Sequence, residues 1–348
     1  MTITIAHVNV ARGYRGGERQ TELLIREIER TGLRQVLVAR RGGPLARRLS
    51  DANIEIRLVH GHPFGVAYAT GGVDLLHVHE GRSVYGAYLR WLVSRTPYVI
   101  TRRVNNPIRS NWLGHMAYER AACVAAVASQ VAEIVRSYDG GASVRVIHSS
   151  SSGFKADAER AAAIRAAHRG KFLVGHVGAL DNSQKGHEFI IAVARAVEHS
   201  NPDLHFVLVG GGDDEAMLKT AATGLTNVTF TGFVENVGDY LASFEIFILP
   251  SNREGIGSIL FDAMEAGLPV IASRVGGVPD IVHEGMNGIL IDPASPEQLR
   301  AAILLLRADP DLRRRFGAAG RELAKGFSAA EMARKYLDVY RDVLGGLE

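Results

Sequence analysis

Residues 252–280 read NREGIGSILFDAMEAGLPVIASRVGGVPD and follow the apolar segment IFILPS at residues 246–251. The pattern predicts a buried strand, a glycine-rich turn, a helix that begins near Ser258, and a second strand before a Gly-Gly-Val-Pro turn. Glycines let a backbone approach a ligand closely, and the first amides of a helix favour a bound phosphate. Because a helix that only fills a core needs neither these glycines nor the carboxylates of Glu254 and Asp262, the stretch predicts a ligand site.

The rest of the chain alternates short apolar strands with helical patterns. Seven strand-like segments precede residue 150 and six follow it, and segments such as FVLVG and IFILP are apolar on both faces. Such alternation predicts parallel sheets that are joined by right-handed crossovers and covered by helices on each side. We therefore expect an α/β protein with two doubly wound, Rossmann-like domains that face each other across a cleft and bind ligands at the carboxyl ends of their strands.

The length of 348 residues favours two domains, and the Ser-rich segment HSSSSGFKADAERA at residues 148–161 marks their boundary. We predict an amino-terminal domain at residues 1–152 and a second domain at residues 153–327. Charge changes at the same place: residues 1–150 hold 20 Arg, no Lys and 11 acidic residues, a net charge of +9, whereas residues 151–348 carry a net charge of −6. A GC-rich genome would favour Arg over Lys, but it would not make one half basic and the other acidic.

The basic half indicates an anionic partner, such as phosphates or a membrane surface. Four arginines lie at or near predicted strand ends and are candidate acceptor-binding residues: Arg12, Arg15, Arg102 and Arg103.

Targeting and redox signals point to the cytoplasm. The start, MTITIAHVNVARG, lacks the basic and apolar regions of a signal peptide, and the segment AACVAAVASQVAEIV is too short to span a bilayer. Cys123 is the single cysteine, so no internal disulfide can form. We expect a cytoplasmic protein, with peripheral association at the inner face of a membrane as a further expectation.

Other predicted strand ends in the second half carry candidate ligand contacts. Glu254 could accept hydrogen bonds from sugar hydroxyls and Asp262 from a ribose. Each carboxylate alone is more typical of a solvated surface, and it is their combination that favours a ligand site. Lys185 stands before a predicted helix and could meet a diphosphate. Phe233 and Val234 follow the segment NVTFTG and could contact a base. The turn VLVGGGDDE lacks G-x-G-x-x-G and continues with acidic residues, which disfavours NAD and phosphate there.

The run SNREGIGSILFDAMEAGLPVIASRVGGVPDIVHEGMNGILID resembles the donor-site signature of family-four retaining glycosyltransferases, which have the GT-B fold. The segments VGAL…KG, FVLVGGG, VTFTGFV and DIVHEGMNGILI follow in that family's order, and HVNVARGYRGGERQTELLI resembles its opening strand and Gly-Gly loop. The resemblance covers nearly the whole chain. It implies that the last helix, at about residues 328–346, packs back onto the first domain.

The resemblance also implies roles for individual residues. Glu254 and Lys185 would be the catalytic residues, with Glu254 on the donor sugar and Lys185 on the diphosphate. The implied donor-binding residues are Gly16, Gly17, Phe233, Val234, Gly255, Ile256, Gly257, Ser258 and Asp262. Two residues depart from the family pattern: Asp262 replaces the usual Glu, and Ala179 replaces an Arg that neutralises phosphate. Arg102, Arg103 or Arg253 could compensate for the lost charge.

Metal and nucleophile patterns are weak. His77 and His79 share one face of a predicted strand, as do His60 and His62 if their segment is extended, but no third ligand is evident in the sequence. No Ser-His-Asp or Cys-His arrangement can be identified. Because the family works without a metal ion, the resemblance implies neither metal nor cofactor.

The resemblance therefore implies a retaining, metal-independent glycosyltransferase that moves a sugar from a UDP- or GDP-type donor to a hydroxyl of a glycan or glycolipid, and the basic first half favours an anionic acceptor. Bacterial lipopolysaccharide or another surface polysaccharide is the expected product, with no nucleic-acid partner. Two alternatives stay open. One is a catalytically silent GT-B subunit that binds a nucleotide, and the other is a GT-B sugar-nucleotide enzyme of different chemistry, such as an epimerase or a phosphorylase.

Overall fold

The computed structural model describes residues 3–108, 111–138 and 143–345. The chain divides into two compact units, one formed by residues 1–150 with 328–348 and the other by residues 151–327. The boundary lies between Ser150 and Ser151, slightly before the predicted one, because the Ser151 amide already donates to the Phe327 carbonyl of the second unit, at 2.8 Å.

The first unit contains a seven-stranded parallel sheet in the order β3-β2-β1-β4-β5-β6-β7. Its strands are β1 (Thr4–Asn9), β2 (Arg34–Arg40), β3 (Glu55–Val59), β4 (Leu75–Val78), β5 (Tyr98–Arg102), β6 (Cys123–Ala126) and β7 (Val144–Val146). All seven predicted strand segments of the first half form strands. Because β1 and β4 are neighbours, the chain reverses its direction of travel across the sheet between them.

Helices cover both faces of this sheet. They are α1 (Gly16–Glu29), α2 (Pro44–Arg48), α3 (Pro63–Ala69), α4 (Val84–Ser94), α5 (Trp112–Glu119), α6 (Ser129–Tyr138) and the last helix of the chain (Ala329–Val343). Residues of α3 to α6 share one core with the sheet, represented by Val66, Val84, Ala117 and Val135. Residues of α1 and the last helix share the core of the other face. The last helix thus packs in the first unit, and the end predicted at residue 346 lies outside the described residues.

The second unit contains a six-stranded parallel sheet in the order β10-β9-β8-β11-β12-β13. Its strands are β8 (Phe172–Val177), β9 (Leu204–Val209), β10 (Val228–Gly232), β11 (Ile246–Leu249), β12 (Val270–Ser273) and β13 (Gly288–Ile291). Here the chain reverses between the neighbours β8 and β11. Ligands in such sheets bind at the carboxyl edge where the strand order reverses, so the loops after β8 and β11 are where a site is expected.

The helices of the second unit complete the doubly wound arrangement. They are α7 (Ala158–Ala167), α8 (Asn182–Lys185), α9 (His187–Val197), α10 (Glu215–Ala221), α11 (Val237–Ser243), α12 (Ile259–Glu265), α13 (Pro296–Ala308) and α14 (Pro310–Ala324), so the helix of residues 329–343 is α15. Each unit is therefore a Rossmann-like α/β domain, as predicted.

Candidate active site

The loops after β8 and β11 bring the two predicted catalytic residues together. Lys185 ends the short helix α8 after β8, and Glu254 lies in the turn after β11; the Lys185 ammonium forms an ion pair with Oε1 of Glu254. The same oxygen accepts a hydrogen bond of 2.8 Å from the Ser251 hydroxyl. Glu254 is 9% exposed, so its carboxylate is held in place at the edge of the sheet.

The turn that carries Glu254 requires its glycine. Gly257 has a φ of +69°, and a Cβ there would lie 3.1 Å from the Leu249 side chain and 3.2 Å from that of Leu260. The Gly255 carbonyl accepts a hydrogen bond of 3.0 Å from the Gly277 amide, which ties the turn to the Gly-Gly-Val-Pro segment. Within the part of the chain that the structure describes, the amides of Gly257 and Ser258 donate no hydrogen bond. They precede α12 and are available to an anionic ligand.

The glycine-rich turn after β9 packs against the loop that carries Lys185. A Cβ on Gly210 would lie 1.9 Å from the Gly178 carbonyl oxygen, so only glycine allows these two loops to pack. Oδ2 of Asp214 accepts a hydrogen bond of 2.7 Å from the Asn182 amide at the start of α8. The acidic residues after the glycines therefore fix the backbone that presents Lys185.

Asp262 occupies a different environment from the one that a ribose contact suggests. It is 4% exposed, and its Oδ1 accepts a hydrogen bond of 2.7 Å from the Ser152 amide. Oδ2 is buried and has no hydrogen-bond partner among the described residues. Burial raises the pKa of Asp262 to about 7, and the Ser152 amide opposes that rise only in part. The shorter side chain of Asp thus points one oxygen to the segment where the chain enters the second unit.

The remaining predicted donor residues of the second unit lie on neighbouring segments. Phe233 follows β10 and is 81% exposed, whereas Val234 and Gly255 are half-buried and Ile256 is buried. The Arg253 amide donates to the Gln184 carbonyl at 3.2 Å, so the exposed Arg253 side chain lies beside the Lys185 loop.

In the first unit, the Gly-Gly loop begins α1 at the carboxyl end of β1. Gly16 and Gly17 are the first residues of α1. The Arg15 backbone amide donates a hydrogen bond of 2.9 Å to the Glu18 carboxylate. Arg12 and Arg15 are exposed. A Cβ on Gly17 would lie 3.4 Å from Cδ of Arg103, so this glycine admits the arginine side chain against the helix.

Two of the four candidate acceptor arginines, Arg102 and Arg103, pack their side chains within the first unit. The Arg102 guanidinium donates to the Tyr118 hydroxyl, at 3.3 Å, and to the Asn106 carbonyl. Burial lowers the pKa of Arg103, whose Nε and Nη2 are enclosed without hydrogen-bond partners among the described residues. Arg12 and Arg15 are therefore the more exposed of the four arginines.

A buried histidine cluster lies where the strand order of the first unit reverses. His7 of β1 joins His77 and His79, which the sequence had left without a third partner, and ligand atoms of all three lie within 4.8 Å of one another. His7 Nδ1 and His79 Nε2 are 3.0 Å apart. His77 contacts the Tyr340 hydroxyl of α15 through Nδ1 and the Thr101 hydroxyl through Nε2, at 2.5 and 2.6 Å.

The electrostatics of this cluster favour neutral imidazoles. Burial lowers the pKa of His7 to about 4 and holds those of His77 and His79 well below the ordinary value, and the positive charge of Arg103 lowers the latter two further. Three neutral histidines could supply the protein ligands of a metal ion. However, the positive charge of the Arg103 guanidinium opposes a bound cation, and both nitrogens of His77 already contact hydroxyl groups. His60 and His62 do not form a strand pair, because His62 caps α3.

The residues described by the structure include no helix that is long and apolar enough to cross a bilayer.

Residues 171–309 match the family model described as Glycosyl transferases group 1. The chain is 28% identical over 310 residues to alpha-maltose-1-phosphate synthase of Mycolicibacterium smegmatis. The aligned region covers 77% of this chain and 79% of that one. The chain is 27% identical over 298 residues to alpha-D-kanosaminyltransferase of Streptomyces kanamyceticus, with 81% of this chain and 74% of that one covered. Lipopolysaccharide core biosynthesis glycosyltransferase LpsD of Rhizobium meliloti is 33% identical over 161 residues, 45% of this chain and 46% of that one.

Solved structures agree on the fold. Anabaena HepE in complex with UDP and glucose superimposes with a TM-score of 0.86 at 18% identity, covering 98% of this chain and 100% of that one. Sucrose-phosphate synthase of Thermosynechococcus elongatus gives a TM-score of 0.80 at 21% identity, with 99% of each chain covered. The family-model match lies in the second unit, which also carries the Lys185–Glu254 turn, and the likeness to the solved structures shows that the chain has the GT-B fold.

Proposed function

We propose that the protein is a retaining, metal-independent glycosyltransferase that uses a nucleotide-diphosphate sugar. The observation that carries this proposal is the pairing of Lys185 with Glu254 at the carboxyl edge of the second sheet, next to the unengaged amides of Gly257 and Ser258. Bound donor would place its diphosphate on Lys185 and these amides and its sugar hydroxyls on Glu254. Solved relatives in complex with UDP favour a UDP-type donor over a GDP-type one.

The proposed reaction needs no protein base. The bond between the sugar C1 and the diphosphate oxygen breaks, a bond from C1 to the acceptor hydroxyl oxygen forms on the same face, and the acceptor proton passes to an oxygen of the departing diphosphate. The amides and Lys185 stabilise the charge that develops on the leaving group. Because these cationic and dipolar groups neutralise the diphosphate, we propose that no divalent ion takes part.

The acceptor is proposed to be an anionic glycan or glycolipid. Residues 1–150, which form most of the first unit, carry a net charge of +9, and Arg12 and Arg15 are exposed after β1. Similarity to a lipopolysaccharide core glycosyltransferase over part of the chain supports surface-polysaccharide synthesis at the inner face of a membrane. No nucleic-acid partner is proposed.

A catalytically silent, nucleotide-binding subunit is the second candidate, and Ala179 favours it, because this residue replaces an Arg that would stabilise the charge of the leaving diphosphate. The experiment that separates the two is slow hydrolysis of UDP-sugars without acceptor, combined with a thermal-shift screen of nucleotides. An enzyme releases UDP and is stabilised by it. A silent subunit is stabilised by UDP but releases none, and failure of both arms refutes nucleotide-sugar binding.

A further inference from the structure

Exposed apolar side chains of the first unit are concentrated in one part of the chain. Among the described residues, thirteen large hydrophobic side chains are exposed, and all eight that belong to the first unit lie within residues 58–113. They are Leu58, Phe64, Tyr68, Leu92, Val93, Val104, Trp112 and Leu113. Six of them lie on α3, α4 and α5, whereas Leu58 lies on β3 and Val104 in the loop after β5. The described part of α1, α2, α6 and α15 exposes none, so the outer face of α3, α4 and α5 is where most of these side chains lie.

That face is formed by three helices that lie side by side. A Cβ on Gly86 of α4 would lie 2.6 Å from Val66 of α3, so these two helices are in close contact. The side-chain amide of Asn111, the residue before α5, donates a hydrogen bond of 3.4 Å to the Tyr85 hydroxyl near the start of α4. The Arg120 guanidinium after α5 lies 5.7 Å from the ring centre of Trp91 near the end of α4. Helices α4 and α5 therefore run in the same direction along the sheet.

The outer surface of these helices exposes aromatic side chains. Tyr68 is 89% exposed and lies one turn from Phe64, which is 74% exposed, and Trp112 at the start of α5 is 75% exposed. Tryptophan and tyrosine are the residues that favour the boundary between lipid headgroups and acyl chains. Burying these side chains in the core of their own unit is excluded, because the inner faces of the same helices already fill it.

The charge of the same segment is positive. Residues 58–113 contain six arginines and two acidic residues, a net charge of +4. Both acidic side chains are engaged locally, since Asp74 accepts from the Thr4 amide at 2.8 Å and Glu80 from the Arg82 amide at 2.7 Å. Arg82 and Arg95 are exposed. Exposed aromatics together with Arg82 before α4 and Arg95 after it complement anionic headgroups, and the segment has few carboxylates to repel them.

We propose that the outer face of α3, α4 and α5 docks on an anionic lipid bilayer. Phe64, Tyr68 and Trp112 would enter the headgroup region while Arg82 and Arg95 meet lipid phosphates. The inference deepens the proposed function, on which it rests for the idea that a membrane-held glycolipid is the acceptor. Docking itself needs no donor, so it can be measured when the transfer reaction fails.

The test uses the full chain with vesicles of phosphatidylcholine, with and without phosphatidylglycerol. Trp91 and Trp112 are the two tryptophans, and Trp91 is half-buried with the Arg95 guanidinium 4.2 Å from its ring centre. We expect flotation with the anionic vesicles and a blue shift of tryptophan emission. The conservative Trp112→Phe variant should keep most of the flotation and lose the shift.

Two sets of variants define the surface. Combined Phe64→Ser, Tyr68→Ser and Trp112→Ser should weaken anionic-vesicle binding by at least about tenfold, and Arg82→Gln with Arg95→Gln should reduce the preference for phosphatidylglycerol. The matched control, Met286→Ser with Leu305→Ser, removes apolar side chains that are 59% and 51% exposed on the second unit and should bind as wild type. Circular dichroism and UDP-induced thermal shift check folding independently of lipid.

Wild-type protein that stays in solution with anionic vesicles overturns the proposal. So does a serine triple variant that is folded and binds as tightly as the control. If the wild type ignores lipid but forms a dimer that the triple variant abolishes, the face is a protein interface and the proposal is wrong. Loss of UDP binding with vesicle binding intact would refute the proposed function and leave this inference standing.

Discussion

Asp262→Asn is expected to remove a pH dependence of stability from the second unit. Burial raises the pKa of Asp262 to about 7, so the folded protein holds a proton there that the unfolded chain releases near its ordinary value of 3.8. Between these pH values the unfolded state binds fewer protons, and wild-type stability therefore falls as pH rises through this window. The whole shift corresponds to an upper limit of about 4 kcal/mol.

Urea unfolding of wild type and variant at pH 5 and pH 8 measures the effect. From the two pKa values, wild type should lose about 2–3 kcal/mol more than Asp262→Asn between these conditions. The matched control is Asp239→Asn, because Asp239 is also buried but its pKa is lowered by amide and Arg160 contacts. That variant should be destabilised by a similar amount at both pH values.

A stability difference between wild type and Asp262→Asn that does not change with pH would refute the electrostatic reasoning.

The same measurement at saturating UDP is a second test. If ribose hydroxyls reach Oδ2 of Asp262, their hydrogen bonds favour the charged carboxylate and lower its pKa, so the pH dependence should shrink when UDP is bound.

The remaining predictions concern the donor turn, the acceptor and the absence of a metal requirement. Gly257→Ala forces a φ of +69° on alanine and a Cβ against Leu249, so it should cost about 1–3 kcal/mol of stability and weaken UDP binding, as measured by melting and calorimetry. Acceptor KM should rise with salt while donor KM changes little, and Arg15→Ala should act in the same direction; acceptor kinetics that ignore both would indicate a neutral acceptor. Turnover should survive EDTA, and complete loss that a divalent ion restores would defeat metal independence and direct attention to the His7 cluster.

The fold was predictable because the spacing of apolar residues distinguishes strands from helices along most of the chain. Strands such as β9 and β11 are buried on both faces, and their continuous apolar runs distinguish them from the one-sided helix patterns. The boundary was less predictable, because serines at residues 149–152 carry no pattern that separates Ser150 from Ser152. The hydrogen bond between Ser151 and Phe327 decides it, and it depends on the tertiary structure.

The sequence indicated which residues lie at the candidate site, but it did not indicate which of them contact each other. Glu254 and Lys185 each stand after a strand, but their ion pair depends on β8 and β11 being neighbours, which local patterns do not fix. The same holds for His7, which meets His77 only because β1 pairs with β4. A polar residue inside an apolar strand was the available signal for His7. Nothing in the sequence indicated that Asp262 would bind the Ser152 amide.

The central claim is that Glu254 holds the donor sugar beside Lys185, and the Glu254→Gln variant tests it most directly. Gln keeps the shape and the Ser251 contact but removes the charge, and losing a charged hydrogen bond of about 1.5–3 kcal/mol predicts a fall in sugar transfer of about 10- to 150-fold. Glu297→Gln, at an exposed position of α13, is the control. We predict reduced kcat/KM for Glu254→Gln with an unchanged melting temperature, and near-normal turnover in that folded variant would contradict the account.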